Sequence, residues 1–354
     1  MPIIGLVLEP LDTLFFRGGR PFGLGLSGES GLPAPQNFAG ALRTWLLERA
    51  GADFRRMRGQ PSLAAAFAAA GVPWLAETRF RGPWLADISD PASPKPFVRA
   101  PANLGLAAGE PVALCPLRTP LAGWSPPSDE PQMLPLWLKR RRPDKSRPAW
   151  LTFDGLRAYL QGQAIGAEQL PSGDALYGVE ERTGIQVDEK TQAAEEGLIY
   201  STRSLRLKLN VAFYGEIDLP EEHAKAFDGE QVMSWGGERH HVIVRKVNRV
   251  RWPQAPDDSP RTSLLLISPA FFTGRWRPGN LPQGALRAAA VDGPFAVSGW
   301  DLALGGPKPT RFGVAAGSVY FLEGAPPPPS LCASPDDALS GYGHFLKGTW
   351  NYAE

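Results

Sequence analysis

Between Ser204 and Phe213 the sequence alternates with a period of two. Leu205, Leu207, Leu209, Val211 and Phe213 fall on one side, and Ser204, Arg206, Lys208 and Asn210 on the other. An extended strand sends successive side chains to opposite faces, so the run predicts one long strand with an apolar face and a basic, hydrogen-bonding face. Residues 181–200, ERTGIQVDEKTQAAEEGLIY, come just before it. Ile185 and Val187 alternate with Gln186 and Asp188, residues 188–196 are polar with no apolar face, and Leu198, Ile199 and Tyr200 lead into the long strand. The stretch reads as a hairpin reaching out of the body of the protein. A basic sheet face with a projecting hairpin suits an extended, negatively charged partner. The plainer reading is a solvated edge hairpin whose charges block aggregation.

Bulk electrostatics does not choose between these, because the formal net charge is only +1. The basic residues are nevertheless clustered, at Arg55, Arg56 and Arg58, at 139–142, at Arg203, Arg206 and Lys208, and from Arg239 to Arg251. Such stripes on a neutral chain allow one basic groove. Cys115 and Cys332 lie too far apart in sequence for a ligand-spaced pair, which excludes a zinc signature and a disulfide framework. No cofactor motif is present. The apolar run at residues 3–8 is too short for a signal peptide, and none approaches a membrane span. A cytoplasmic protein without a membrane partner is expected. Its 39 Gly and 37 Pro imply many turns and long ordered loops.

In chain order, residues 3–8 predict a buried strand. Arg17 and Arg20 flank a Gly pair in a glycine-rich loop that lacks the Gly-Lys-Ser/Thr ending of a nucleotide P-loop. Asn37 is expected to cap a helix running to Arg49, with Phe38, Ala41, Leu42, Trp45 and Leu46 as its buried stripe. Residues 55–170 read as an irregular insertion. It carries an alanine-rich helix over 62–70, capped by Ser62, and Trp74, Trp84, Trp124 and Trp137 in Pro-rich surroundings. A strand is expected over 176–179, a helix over 220–227 and a strand over 240–250. This order is that of a β-α-β-β-α-β ferredoxin-like unit, the architecture of RNA-recognition domains. After a Pro-rich linker at 252–260, strands are expected at 264–267, 296–300 and 319–322, with a glycine-rich loop over 305–317. The fold class is therefore α+β, with two ferredoxin-like (RRM-like) domains, a projecting hairpin and glycine-rich loops. The domains divide as 1–255, including the insertion and the hairpin at about 180–200, and 256–354.

Four segments in order carry a family resemblance: Glu9 to Arg17 with Arg20-Pro21-Phe22; Phe38 to Arg43; Glu181 to Thr191 with Glu196, Gly197 and Tyr200; and Gly317 to Glu323 with the glycine-rich loop before it and Gly341-Tyr342-Gly343 after. Together they resemble the RAMP superfamily of CRISPR RNA-binding proteins, and within it the third-subunit family of the Cmr (type III-B) effector complex. The resemblance implies a non-catalytic ribonucleoprotein subunit in antiviral defence. It would hold the 5′ repeat-derived handle of the guide RNA (crRNA) and bridge the large polymerase/cyclase-type subunit to the backbone RAMP subunit, with target RNA present in the assembled complex. The hairpin is similar to the family's thumb, which places Arg182, Thr183, Gly184 and Ile185 in it. Arg17, Arg20 and Arg43 would face the handle, and Gly313, Ala316 and Gly317 would approach the RNA. Arg206 and Lys208 lie on the basic face read from the alternation, and Arg203 belongs to the same basic cluster.

Two other function classes compete. A RAMP-type endoribonuclease processing precursor guide RNA needs a histidine near a second acid or base. Of His223, His240, His241 and His344, only the last lies beside a glycine-rich segment. Asp12 is expected to brace its own loop. A structural scaffold without RNA contact would use the tryptophan-rich insertion as its interaction surface.

Overall fold

A computed structural model describes residues 2–16, 28–29, 31–138, 142–187, 194–255, 259–301 and 306–353. The first half of the chain contains β1 (Ile3–Pro10), α1 (Pro35–Arg49), α2 (Leu63–Ala69), β2 (Arg79–Asp87), β3 (Lys95–Pro96) and α3 (Phe153–Leu160). A long hairpin follows, β4 (Tyr177–Val187) and β5 (Ala194–Leu207). Then come β6 (Val211–Asp218), α4 (Glu221–Ala224), β7 (Glu230–Ser234) and β8 (His241–Val247). The second half contains β9 (Arg261–Leu266), β10 (Leu286–Ala290), β11 (Pro294–Asp301), β12 (Gly306–Val314), β13 (Val319–Glu323), α5 (Pro335–Leu339) and β14 (Phe345–Thr349).

Two antiparallel sheets organise these elements. The first runs β7-β8-β1-β6-β2-β3 and the second β10-β13-β9-β14. Counting β1, β2, β6 and β8 as strands one to four, the first sheet is ordered 4-1-3-2. Counting β9, β10, β13 and β14 the same way, the second repeats that order. In the second half the connection from β9 to β10 has no helix.

Alternation along each strand builds the layers. Leu6, Leu8, Phe80, Phe213 and Ile217 face α1 and pack with Phe38, Leu42, Trp45 and Leu46. Gly215 makes the close approach of helix and sheet possible, because a Cβ there would collide with the Phe38 ring. The opposite face of the first sheet presents Val7, Trp84, Ala86, Ala212 and Tyr214. These pack against Leu265, Ile267, Val319, Phe321 and Leu346 of the second sheet, with Leu156 and Leu160 of α3 closing one side. The second sheet's outer face, with Leu264, Leu266, Tyr320 and Leu322, is covered by Leu281 and Leu331.

Several sequence expectations need correction. The partner strand β2 lies inside the stretch read as insertion. Gly82-Pro83 interrupts its alternation and reads as a breaker, yet the pair sits opposite a register shift between Tyr214 and Glu216. The run from Ser204 to Phe213 is two strands, not one. Residues 208–210 turn the chain, Asn210 adopts φ 60°, and Leu209 is 91% exposed. The stretch over 305–317 is mostly strand β12. It pairs with β11 outside the four-stranded sheet, so residues 296–300 do not join that sheet either. Helix α1 starts at Pro35, and Asn37 caps it from the third position by accepting a 2.8 Å hydrogen bond from the Ala34 N–H. The expected 62–70 helix and its Ser62 cap are present, with Ser62 Oγ accepting from the Ala65 N–H at 3.1 Å. The strand read over 240–250 is shorter and runs from His241 to Val247.

Between the sheets lies one fully buried carboxylate, Glu216. The Tyr214 hydroxyl donates to it at 3.1 Å and the Trp252 indole at 2.9 Å; Arg249 Nε lies 3.3 Å and Arg81 Nη1 3.5 Å from it. The Val250 N–H donates to the Tyr214 hydroxyl at 2.9 Å, and Trp252 packs against Trp84 with ring centroids 4.7 Å apart. Burial and the Glu216 charge raise the Tyr214 phenol pKa. Replacing Glu216 by Ala leaves the largely buried Arg81 without its counter-charge. Equilibrium urea unfolding of Glu216→Ala should show a loss of about 3–5 kcal/mol; an unchanged midpoint would remove this carboxylate from the account of stability.

Candidate nucleic-acid interface

The β4–β5 hairpin is registered by pairs running from Tyr177 with Leu207 to Ile185 with Ile199. Thr183, Gly184 and Ile185 lie on β4, opposite Ser201, Tyr200 and Ile199. Two backbone hydrogen bonds tie its base to the chain after β1, Leu14 N to Leu205 O at 2.8 Å and Leu205 N to Leu14 O at 2.7 Å. The two-residue strand Gly28–Glu29 adds a parallel contact at Thr202 and Arg203. Leu14 and Leu205 are both buried, so this end of the hairpin is anchored in the core.

Four charged side chains form a network at the same base. Arg182 Nε donates to Glu180 at 2.8 Å, and its Nη2 to Asp12 at 3.2 Å. Arg206 Nε donates to Glu180 at 2.7 Å, and its Nη2 to Asp12 at 2.8 Å. The hydrogen bonds from Arg182 and then Arg206 hold the Asp12 carboxyl below the ordinary carboxylate range; those from Arg206 and then Arg182 do the same for Glu180. Asp12 therefore braces the hairpin as well as its own loop. The Arg182 and Arg206 side chains remain 48% exposed. Nearby Arg203 is half-buried, and Lys208 is exposed where the hairpin ends.

The other expected residues lie in different settings. Arg17 and Arg20 fall outside the described residues, as do 139–141. Arg43 sits over the Phe80 ring at 4.9 Å and donates to Ser340 Oγ at 3.2 Å; burial pushes its pKa down to about 10. Gly313 lies against the Ala270 carbonyl where a Cβ would collide. Gly317, at φ 95°, is buried; its N–H donates to Leu266 O at 2.8 Å and its carbonyl accepts from Ala102 N at 2.7 Å. Ala316 is half-buried just before it. These three small residues join β12 and residues 100–102 to the second sheet.

The histidines are separated. His223 stacks on Trp74 at 3.8 Å, His241 Nε2 lies 3.3 Å from Ser234 Oγ, and His240 precedes β8. Burial, with the positive charges of Arg81, Arg249 and Arg79, pushes His344 down to about 3. Among the described residues no three His, Cys, Asp or Glu side chains gather as a metal site, and no helix is long and apolar enough to cross a membrane.

Sequence reasoning missed the contact of Asp12 with the hairpin arginines, Glu180, and the bidentate Arg311–Asp337 pair, whose two bonds are 2.7 Å each. Glu180 had a signal, since it alternates with Arg182 on one strand face. Asp12 lies 170 residues from Arg182 and had none. Substituting Asp12 by Asn should accelerate amide exchange at Leu14 and Leu205 several-fold while global stability changes by less than ~1 kcal/mol, because the pairs are solvent-screened. Hydrogen–deuterium exchange of residues 11–16 and 203–207 checks this, and identical exchange would show that the network does not hold the base.

The sequence matches the family described as CRISPR-associated protein (Cas_Cmr3) over residues 6–350. Comparison with curated proteins gives no match. Among solved structures, the chain is similar to a chain of the type III-B Cmr-beta complex bound to cognate target RNA and AMPPnP, at 16% identity and TM-score 0.51, covering 90% of this chain and 86% of that one. A second Cmr-beta structure, bound to cognate target RNA, matches at 15% identity with the same coverage and TM-score. At such identities the likeness is one of fold. The family match, reaching from β1 to the residue after β14, carries the assignment: the chain belongs to the CRISPR-associated Cmr3 family.

Proposed function

We propose that the protein is a non-catalytic RNA-binding subunit of a type III-B CRISPR effector complex. It holds the 5′ repeat-derived handle of the crRNA and bridges the large polymerase/cyclase-type subunit to the first backbone RAMP subunit. In this reading residues 1–255 and 256–354 are two ferredoxin-like units, supported by the 4-1-3-2 strand order in each half, and the β4–β5 hairpin is the thumb. The observation that carries the reading is the hairpin's anchored base. It offers the exposed Lys208 and the half-exposed Arg182 and Arg206, with Arg203 on the opposite strand face, beside a buried foothold at Leu14 and Leu205. Single-stranded RNA is gripped through its phosphates by such side chains, with sequence-independent, salt-sensitive affinity. Thr183, Gly184 and Ile185 extend the contact along β4. Arg17 and Arg20 join it on the sequence resemblance. Arg43, Gly313, Ala316 and Gly317 likewise enter on the sequence resemblance; their contacts here are to Phe80 and Ser340 for Arg43, to Ala270 for Gly313, and to Leu266 and Ala102 for Gly317.

Exposed Trp124 (39%) and Trp137 (44%) supply a surface for a protein neighbour, in keeping with a bridging role. The nuclease reading gains no support from His344. A neutral imidazole with a pKa of about 3 is a poor general acid near neutrality.

Two outcomes test the proposal. The double substitution Arg203→Glu and Lys208→Glu should weaken binding of a handle-containing RNA about tenfold and lower the salt slope by about 0.7 for each lost contact. Equal affinity and slope in a folded variant would overturn the hairpin assignment. His344 gives a pH signature. Its folded pKa of about 3 lies below the ordinary 6.5, so its contribution to stability is present above pH 6.5 and drains as pH falls toward 3. Urea midpoints from pH 7 to pH 4 should fall more for the wild type than for His344→Gln; parallel curves would contradict the buried neutral imidazole.

A further inference from the structure

The end of the first sheet remote from the hairpin's anchor holds a second concentration of positive charge. Arg79 and Arg81 open β2, and Arg249 and Arg251 lie in the connection leaving β8. Beside them are two carboxylates, Glu216 and Asp218. Glu216 is already met by Arg81, Arg249, Tyr214 and Trp252. Asp218 pairs in register with Arg79, yet its Oδ1 is buried without a hydrogen bond. Arg79 and Arg251 make no ion pair with described residues, and Arg249 gives only its Nε to Glu216. The guanidinium groups of Arg79, Arg81 and Arg249 thus share two carboxylates, and Arg251 adds a further positive charge in the connection. Like charges repel, so this surplus adds nothing to the fold.

The surplus borders a cavity. Arg249, Arg251, Trp252, Gln254 and His344 line an open cleft of about 430 Å³ between the connection and β14. Its wall is fixed. Trp252 is wedged between Trp84 at 4.7 Å and Phe153 at 6.0 Å, and its indole N–H is held by Glu216. The volume lies in the range of small-molecule sites and is far more than a bare phosphate fills. Guanidinium forks match phosphate oxygens, and an aromatic wall with a side-chain amide suits a planar base.

We propose that this cleft binds a nucleoside phosphate, with Arg251 and the outer nitrogens of Arg249 on the phosphate and Trp252 and Gln254 beside the base. The site does not depend on the hairpin reading, since β1 alone separates Gly5, next to Glu216, from Pro10 by on the order of 17 Å. The same chemistry is offered by a free nucleotide and by the terminal nucleotide of an RNA strand.

Calorimetric titration of the full chain with AMP, and separately with a 5′-phosphorylated tetraribonucleotide, tests the site and its source. At least one probe should bind at one site per chain. That binding should weaken about tenfold in Arg251→Glu and stay unchanged in Lys145→Glu, an exposed lysine outside both surfaces. Binding of AMP identifies a free nucleotide, and binding of the tetranucleotide alone identifies an RNA end. No saturable binding of either, equal binding in Arg251→Glu, or loss in Lys145→Glu would overturn the proposal. Gln254→Ala is the second variant, and thermal melts of all variants separate lost binding from lost folding. Handle-RNA affinity measured on the same proteins keeps the outcome apart from that of the hairpin.

Discussion

Burying a carboxylate between two sheets costs several kcal/mol unless donors surround it, and the centre of this protein is built around that requirement. Glu216 lies on β6 and draws in Tyr214 from its own strand, Arg81 from β2, and Arg249 and Trp252 from the connection to the second sheet. Satisfying one charge therefore fixes where that connection runs. The route taken by residues 249–252 in turn sets where the second sheet meets the first. The apolar layer of Val7, Trp84, Phe321 and Leu346 supplies most of the favourable free energy. Apolar contact has no direction, however, and the hydrogen bonds to Glu216 specify the arrangement.

The hairpin base follows a different electrostatic logic. Its four charges are half in solvent, so each pair contributes little to stability. What they supply is orientation. Asp12, from the loop after β1, and Glu180, from β4, each hold both arginines. The guanidinium groups are thereby aimed rather than left to sample solvent. An aimed arginine loses less entropy on meeting a phosphate than a mobile lysine does.

Local signals in the sequence were legible and long-range ones were not. The apolar run of β1, the stripe of α1 and the Ser62 cap of α2 lie within a few residues of what they determine. β2 was hidden because Gly82-Pro83 looks like a breaker until Gly215 stands opposite it. The break after Leu207 was hidden because Leu209 continues the alternation while Asn210 turns the chain. Arg206 and Lys208 of the candidate surface could be named from the alternation after Ser204. Their acidic partners could not, since nothing in the local pattern joins Asp12 to β4. Arg43 looked like a surface cation on an amphipathic helix, but Phe80 and Ser340 enclose it.

The paired hydrogen bonds between Leu14 and Leu205 have a geometric consequence. Leu205 sits opposite Val179, and β4 continues from there to Val187, a reach of about 26 Å at the usual rise per residue. A long arm fastened near one end turns small rotations into large displacements. A tilt of about 10° at that rung carries the far end through about 5 Å, close to the spacing of neighbouring strands. A tilt of about 10° where the buried leucines meet is thus enough to move the outer part of the arm by roughly one strand's width while the packing beneath it stays in place.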